Sequence, residues 1–205
     1  MKGSIYIVNE NKMLSGTNLA GMSTTRDRVV DDYYATPYEA TEMLLDKVKF
    51  NGNFLEPCVG GGHIADVIKK HYNTEITGYD LVDRGYPNTY VADFLKHNFD
   101  CKYDNIITNP PYSLAQEFVE KGMNVINDNG KIAMFLKIQF LEGVKRREMF
   151  EKYPPKYIYV FSKRQNPWRN GSAVDEKGKP WASTMCFAWF IWEKGSNTEP
   201  IVRWL

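Results

Sequence analysis

The chain has few residues with which to build a metal centre or a disulfide framework. Its three cysteines, Cys58, Cys101 and Cys186, are odd in number and far apart, and His63, His71 and His97 share no ligand spacing. Reduced thiols and no metal are therefore expected. It also lacks any apolar run approaching the ~18 residues that a membrane helix needs, and the opening MKGSIYIVNENK has no signal-peptide core. A cytoplasmic protein without a membrane partner is the expectation. Net charge is scarce too, only +1 over 205 residues, but it is unevenly spread. Between Lys137 and Arg169 nine basic residues face three acidic ones, which is either a solvated face or a patch that attracts polyanions.

What is present is enough for one core. A hydrophobic fraction of 43% with 14% aromatics excludes a disordered chain, and the length suits one domain. Residues 1–30, rich in Asn, Ser, Thr and Gly, read as an arm, and 31–205 as a single domain. In PYEATEMLLDKVK (37–49) Thr36 is placed to cap a helix, with Pro37 at its first position and an apolar stripe behind it. NFLEPCV (53–59) reads as a strand running into Gly60-Gly61-Gly62, and HIADVIKKHY (63–72) as the helix leaving that loop. Strands are expected at 75–81, 89–93, 103–108 and 131–140, with a helix over 113–126 and a basic helix over 141–153.

Alternating strands and helices imply a doubly wound α/β fold with a mostly parallel sheet. Residues 156–161 and 183–194 are joined by a polar segment too rich in Pro and Gly for a crossover helix, so they are expected as an antiparallel pair at one edge of a seven-stranded sheet.

In such a sheet, ligands sit at the carboxyl ends of the strands. Four unusual features fall there. The glycine loop after Glu56 lets backbone approach a ligand. Asp80 lies about twenty residues beyond the glycines, where an acid can accept ribose hydroxyls. Asp93 and Phe94 offer an acceptor and a ring face. Asn109-Pro110-Pro111-Tyr112 stops a strand with two residues that cannot donate to a ladder, leaving a rigid corner with an amide on one side and an aromatic ring on the other.

The order YYATP (33–37), FLEPCVGGG (54–62), GYD (78–80), ADF (92–94), NPPY (109–112) and GKIAMFLK (130–137) resembles the S-adenosylmethionine-dependent DNA adenine-N6 methyltransferases, strongly over residues 30–140 and weakly beyond. The resemblance is to compact enzymes of the phage type, and it implies a class I methyltransferase fold. It also implies S-adenosylmethionine as cofactor, held by Tyr34, Thr36, Glu56, Pro57, Gly60, Gly62, Asp80, Asp93 and Phe94. Asn109, Pro110, Pro111 and Tyr112 would then be catalytic: two oxygens accept the N–H bonds of the adenine amine, and Tyr112 stacks on the base once it has left the duplex.

Family members that read a defined sequence carry a large recognition domain, and none fits here. The segment 162–183, the basic helix and the arm remain, so Lys145, Arg146, Arg147, Lys163, Arg164, Trp168 and Arg169 are the candidate DNA contacts, with relaxed specificity or a protein partner supplying it. Trp168 and Trp181 either insert beside the base or anchor the segment. RNA bases, a protein glutamine amide, the cytosine amine of DNA and a non-catalytic scaffold stand as alternatives.

Overall fold

The computed structural model describes residues 33–205, so the arm expected over 1–30 lies outside the described residues. Strand β1 (Tyr34–Ala35) and helix α1 (Tyr38–Lys47) lead into the alternating unit: β2 (Phe54–Glu56), α2 (His63–Tyr72), β3 (Ile76–Asp80), β4 (Tyr90–Val91), β5 (Tyr103–Thr108), α3 (Ala115–Val125) and β6 (Ile126–Lys137). Then follow α4 (Arg147–Lys152), β7 (Tyr157–Val160), β8 (Trp168–Arg169), β9 (Phe187–Glu193) and β10 (Ile201–Trp204). The main sheet has the order β10-β7-β9-β6-β5-β2-β3-β4, and β1 pairs separately with β8.

Every neighbouring pair in the main sheet is parallel except those made by β9, which runs antiparallel to both β6 and β7. This corrects the expected seven strands to eight and moves the antiparallel element away from the edge. The cause is burial: Trp189, Phe190, Ile191 and Trp192 are all at most 1% exposed, and a strand apolar on both faces belongs between two others. The edge is β10, whose four residues are all exposed. The basic helix expected over 141–153 is also shorter: Gly143 at φ +131° breaks the chain before a 3-10 turn at Val144–Arg146, and α4 begins only after that turn.

Alternation across the sheet fills two cores. Ile106, Ile132, Met134, Phe190 and Trp192 face Phe118, Val119 and Met123 of α3, while Ile107, Ala133, Phe135 and Trp189 face Leu44 of α1 and Ile64 and Ile68 of α2. Both buried indoles find acceptors, Trp189 at the Ala40 carbonyl (2.8 Å) and Trp192 at the Tyr153 carbonyl (3.0 Å). Strand order runs outward from β2 through β3 to β4, then resumes at β5 on the other side of β2. That reversal opens a crevice at the carboxyl ends of β2 and β5, where Glu56 and Asn109 lie. Among the described residues no helix is long and apolar enough to cross a membrane, and no three His, Cys, Asp or Glu side chains group as metal ligands would.

Candidate active site

At the end of β5 the double proline turns the chain into a 3-10 turn at Tyr112–Leu114. Asn109 Nδ2 donates to the Tyr34 carbonyl at 2.8 Å. A carbonyl only accepts, so this bond fixes which end of the amide is which: the NH2 faces Tyr34, and Oδ1 is left as an acceptor. Among the described residues no donor is bonded to that oxygen, and Asn109 forms part of the wall of a cavity of about 250 Å³. Tyr34 is itself held by the antiparallel pairing of β1 with β8, Tyr34 opposite Arg169 and Ala35 opposite Trp168. The 162–183 segment therefore reaches the corner through one strand.

The same cavity is walled by Thr36, Glu56, Pro57, Asp80, Asp93, Phe94 and Pro111. Two of these carry polar atoms that the described protein leaves unpaired. Glu56 is 2% exposed, and its Oε2 has no hydrogen-bond partner. Burial pushes its carboxyl well above the usual range, with the Ala65 N–H pulling it down and the charges of Asp80 and Asp66 pushing it further up. Thr36 is equally buried, and its hydroxyl is also without a partner. The cap expected from Thr36 is not made: Pro37 occupies the N-cap of α1, so the hydroxyl is not engaged in capping. Buried unpaired polar groups are costly, and two in one cavity wall mark a place where a ligand's polar atoms complete the structure.

The glycine loop approaches protein side chains rather than the cavity. Gly60 and Gly62 are absent from its wall, and both have positive φ, +53° and +84°. A Cβ at Gly60 would lie 2.6 Å from the Tyr33 ring, and one at Gly62 would overlap the Tyr86 ring. Tyr33 accepts the Gly61 N–H at 3.0 Å, while Asp80 accepts Gly60 N–H at 2.8 Å and Val82 N–H at 3.1 Å. Asp80 thus ties the loop to β3, and each oxygen keeps a further lone pair at the cavity wall.

Asp93 accepts the Leu95 N–H at 3.0 Å and pairs with Lys96 at 3.1 Å. Its small burial raises the carboxyl, but Lys96 and the Leu95 N–H outweigh that and hold it below the ordinary value. Phe94 is 3% exposed and packs on Phe118, ring centroids 5.0 Å apart.

Tyr112 faces a different space. A second cavity of about 160 Å³ is walled by Tyr112, Leu136, Lys137, Gln139, Phe140 and Arg146. The corner therefore contributes Asn109 and Pro111 to the larger cavity and Tyr112 to the smaller, while Pro110 is buried.

The candidate DNA contacts separate into two groups. Lys145 is exposed, Arg146 lies over the Phe140 ring at 5.2 Å and donates to the Glu142 carbonyl, and Arg147 pairs with Glu151 at 2.7 Å. In the 162–183 segment Lys163 pairs with Glu39 at 3.3 Å, and Arg164 donates to the Ser183 carbonyl at 2.7 Å. Trp168 sits edge-on to Tyr38 and His63, both at 5.5 Å, while Arg169 covers the Trp181 ring at 4.8 Å. The Trp181 indole donates to the Ser172 carbonyl at 2.6 Å. Both tryptophans thus have contacts within the fold, Trp168 with α1 and α2 and Trp181 within the segment.

Several wall residues carried no signal of their own. Tyr33 stands inside YYATP but only its hydroxyl bond to Gly61 distinguishes it from Tyr34, and His63 is a lone histidine that stacks on Tyr38 at 5.2 Å. Burial lowers the His63 imidazole, against the pull of Asp66 and the Gly171 backbone, and so favours its neutral form. Arg84 lies over the Tyr33 ring at 4.3 Å.

No family model matches the sequence, and no curated protein matches it. Solved structures do match in shape. A Listeria monocytogenes protein assigned to the class I S-adenosylmethionine-dependent methyltransferases superposes with a TM-score of 0.56 at 15% identity, covering 83% of this chain and 65% of that one. A methyltransferase from Pyrococcus furiosus gives 0.54 at 18% identity, covering 78% and 83%. The M protein of the type I restriction enzyme EcoKI gives 0.56 at 15% identity, covering 88% of this chain and 47% of its own. This chain thus spans under two thirds of the Listeria protein and about half of the M protein. Together with the reversal of strand order at β2 and β5, these likenesses show the fold to be that of the class I methyltransferases.

Proposed function

We propose that the protein is a cytoplasmic enzyme that transfers the methyl group of S-adenosylmethionine to the exocyclic amine of adenine in DNA. The observation that carries the reading is the pairing of two unpartnered buried atoms, Glu56 Oε2 and Thr36 Oγ1, with an oriented Asn109 amide in one cavity wall. These residues fit the cofactor. An ammonium group supplies the donor that Glu56 lacks, and the lone pairs left on Asp80 suit ribose hydroxyls. Asp93 and Phe94 suit the adenine amine and ring face, with Tyr34, Pro57, Gly60 and Gly62 shaping the walls and loop around them. When bound, the cofactor supplies an electrophilic methyl group on a sulfonium.

The protein's own part is placement. Asn109 Oδ1 and the Pro110 carbonyl accept the two N–H bonds of the target amine, drawing its lone pair out of conjugation and aiming it. The prolines stop both acceptors from moving, and the Tyr34 carbonyl stops the amide from turning over. Tyr112 supports the ring of the flipped base from the smaller cavity. The surplus proton leaves to water, so no strong general base is required.

The likeness to a type I restriction enzyme M protein supports DNA as the acceptor and a protein partner as the source of sequence recognition. Incubation with labelled S-adenosylmethionine and, separately, unmethylated DNA, RNA and protein tests the reading: label in DNA is the expected result, and label only in RNA or protein would reassign the acceptor.

DNA grip is expected from the exposed cations Lys145 and Arg147. Lys145→Ala with Arg147→Ala should lower the slope of log affinity against log salt by about one to two units, roughly 0.9 for each phosphate that is no longer neutralised. A filter-binding series between low and moderate salt checks this, and an unchanged slope would remove that turn from the interface.

A further inference from the structure

The smaller cavity contains a conflict that the proposed function does not by itself resolve. Lys137, the last residue of β6, carries its ammonium 4.7 Å from the centroid of the Tyr112 ring. A planar base stacked on Tyr112 would bring its own centroid to roughly 4.5–7 Å from the same point. Cation and base compete for one ring. Tyr112 is already in tilted contact with Phe187 at 6.0 Å, so its surroundings are divided between a core ring and an ammonium.

Donors dominate the rest of this cavity. Lysine and arginine only donate, and the Arg146 Nε–H is buried with no partner among the described residues. Gln139 can donate or accept. A rim of this kind favours a ring whose perimeter accepts. Adenine meets it with three unprotonated ring nitrogens, whereas guanine, which also carries an exocyclic amine, would bring its N1–H against donors.

We infer that Lys137 is a specificity-determining residue: its ammonium holds the place over Tyr112 until the acceptor base enters, and then donates to one of that base's ring nitrogens. This rests on the adenine reading above and adds to it a residue outside the Asn109–Tyr112 corner. The four-carbon stem allows the ammonium to leave the ring face while its root in β6 keeps it beside the cavity. The exchange gives up the cation–aromatic contact and forms a charge-assisted hydrogen bond, so the base gains a directional contact.

The test compares the unaltered protein with Lys137→Met on a duplex that the protein methylates, and on the same duplex carrying 1-deaza-, 3-deaza- or 7-deazaadenine at the target. In the unaltered protein one of the three analogues should lower kcat/KM about tenfold, the scale of one missing charge-assisted bond. Lys137→Met should lose about tenfold on adenine itself, bind S-adenosylmethionine as before, and no longer distinguish that analogue. Equal rates for Lys137→Met and the unaltered protein on adenine overturn the inference, as does an unaltered protein that discriminates against none of the analogues. If Lys137→Met does not bind the cofactor, Lys137→Gln is measured in its place with the same expectations. An unaltered protein that methylates no adenine duplex removes the proposed function together with this inference. One that is active but indifferent to the analogues removes the inference alone.

Discussion

Asn109→Ala is expected to bind S-adenosylmethionine within about twofold of the unaltered protein and to transfer methyl groups about a hundred- to a thousandfold more slowly, the scale set by removing one oriented group from a preorganised site. The asymmetry follows from where the amide's two ends go. Its oxygen is proposed to touch the acceptor amine only, so its loss falls on turnover rather than on cofactor binding. Its nitrogen holds the Tyr34 carbonyl at 2.8 Å, so the same substitution also leaves that carbonyl short of a donor. That should cost about 1 kcal/mol of stability and lower the melting temperature by roughly 2–4 °C. Initial rates with labelled cofactor, a calorimetric titration and a thermal melt measure the three effects separately. Near-normal turnover would remove Asn109 from the chemistry.

The second large effect concerns Glu56. Replacing it with Gln should weaken cofactor binding about ten- to a hundredfold, the scale of one hydrogen bond to a charged group. It should also make the empty protein more stable at neutral and higher pH. The sign comes from burial, which raises the folded-state value well above the unfolded one despite the Ala65 N–H. A group of that kind contributes stability that is complete below its unfolded value and is lost as pH rises through its folded value. Gln cannot ionise, so the variant should gain on the unaltered protein across that window.

Over the same window, cofactor affinity of the unaltered protein should rise with pH, because a cationic ligand favours the carboxylate. Melts and titrations taken from acid to alkaline pH check both halves. A Glu56→Gln protein that binds as tightly as before would sever the link between the unpaired oxygen and the ligand.

The parts of this arrangement that were legible in the sequence are those set by side-chain pattern. Helix α2 occupies the expected residues 63–72, and β5 the expected 103–108, because amphipathic and branched apolar runs report burial directly. The double proline likewise announced a stop at the end of β5. What was not legible depends on backbone atoms or on distant neighbours. Tyr34 matters through its carbonyl, which no side-chain pattern encodes. Thr36 reads locally as a cap, yet Pro37 takes that place and leaves the hydroxyl in a cavity wall.

Edges were similarly hidden. The interior place of β9 is visible only once β7 is found on its far side, and β10 is four exposed residues with little apolar pattern to report. The glycines signalled a close approach, but not that Tyr33 and Tyr86 are what approach them.

The most direct measurement of the central claim is the identity of the methylated product. Unmethylated DNA is incubated with the protein and S-adenosylmethionine carrying a labelled methyl group, digested to nucleosides and resolved by mass. Label in N6-methyldeoxyadenosine, abolished by Asn109→Ala, is what this arrangement of Glu56, Asn109 and Tyr112 predicts; DNA that stays unlabelled while the cofactor binds would contradict it.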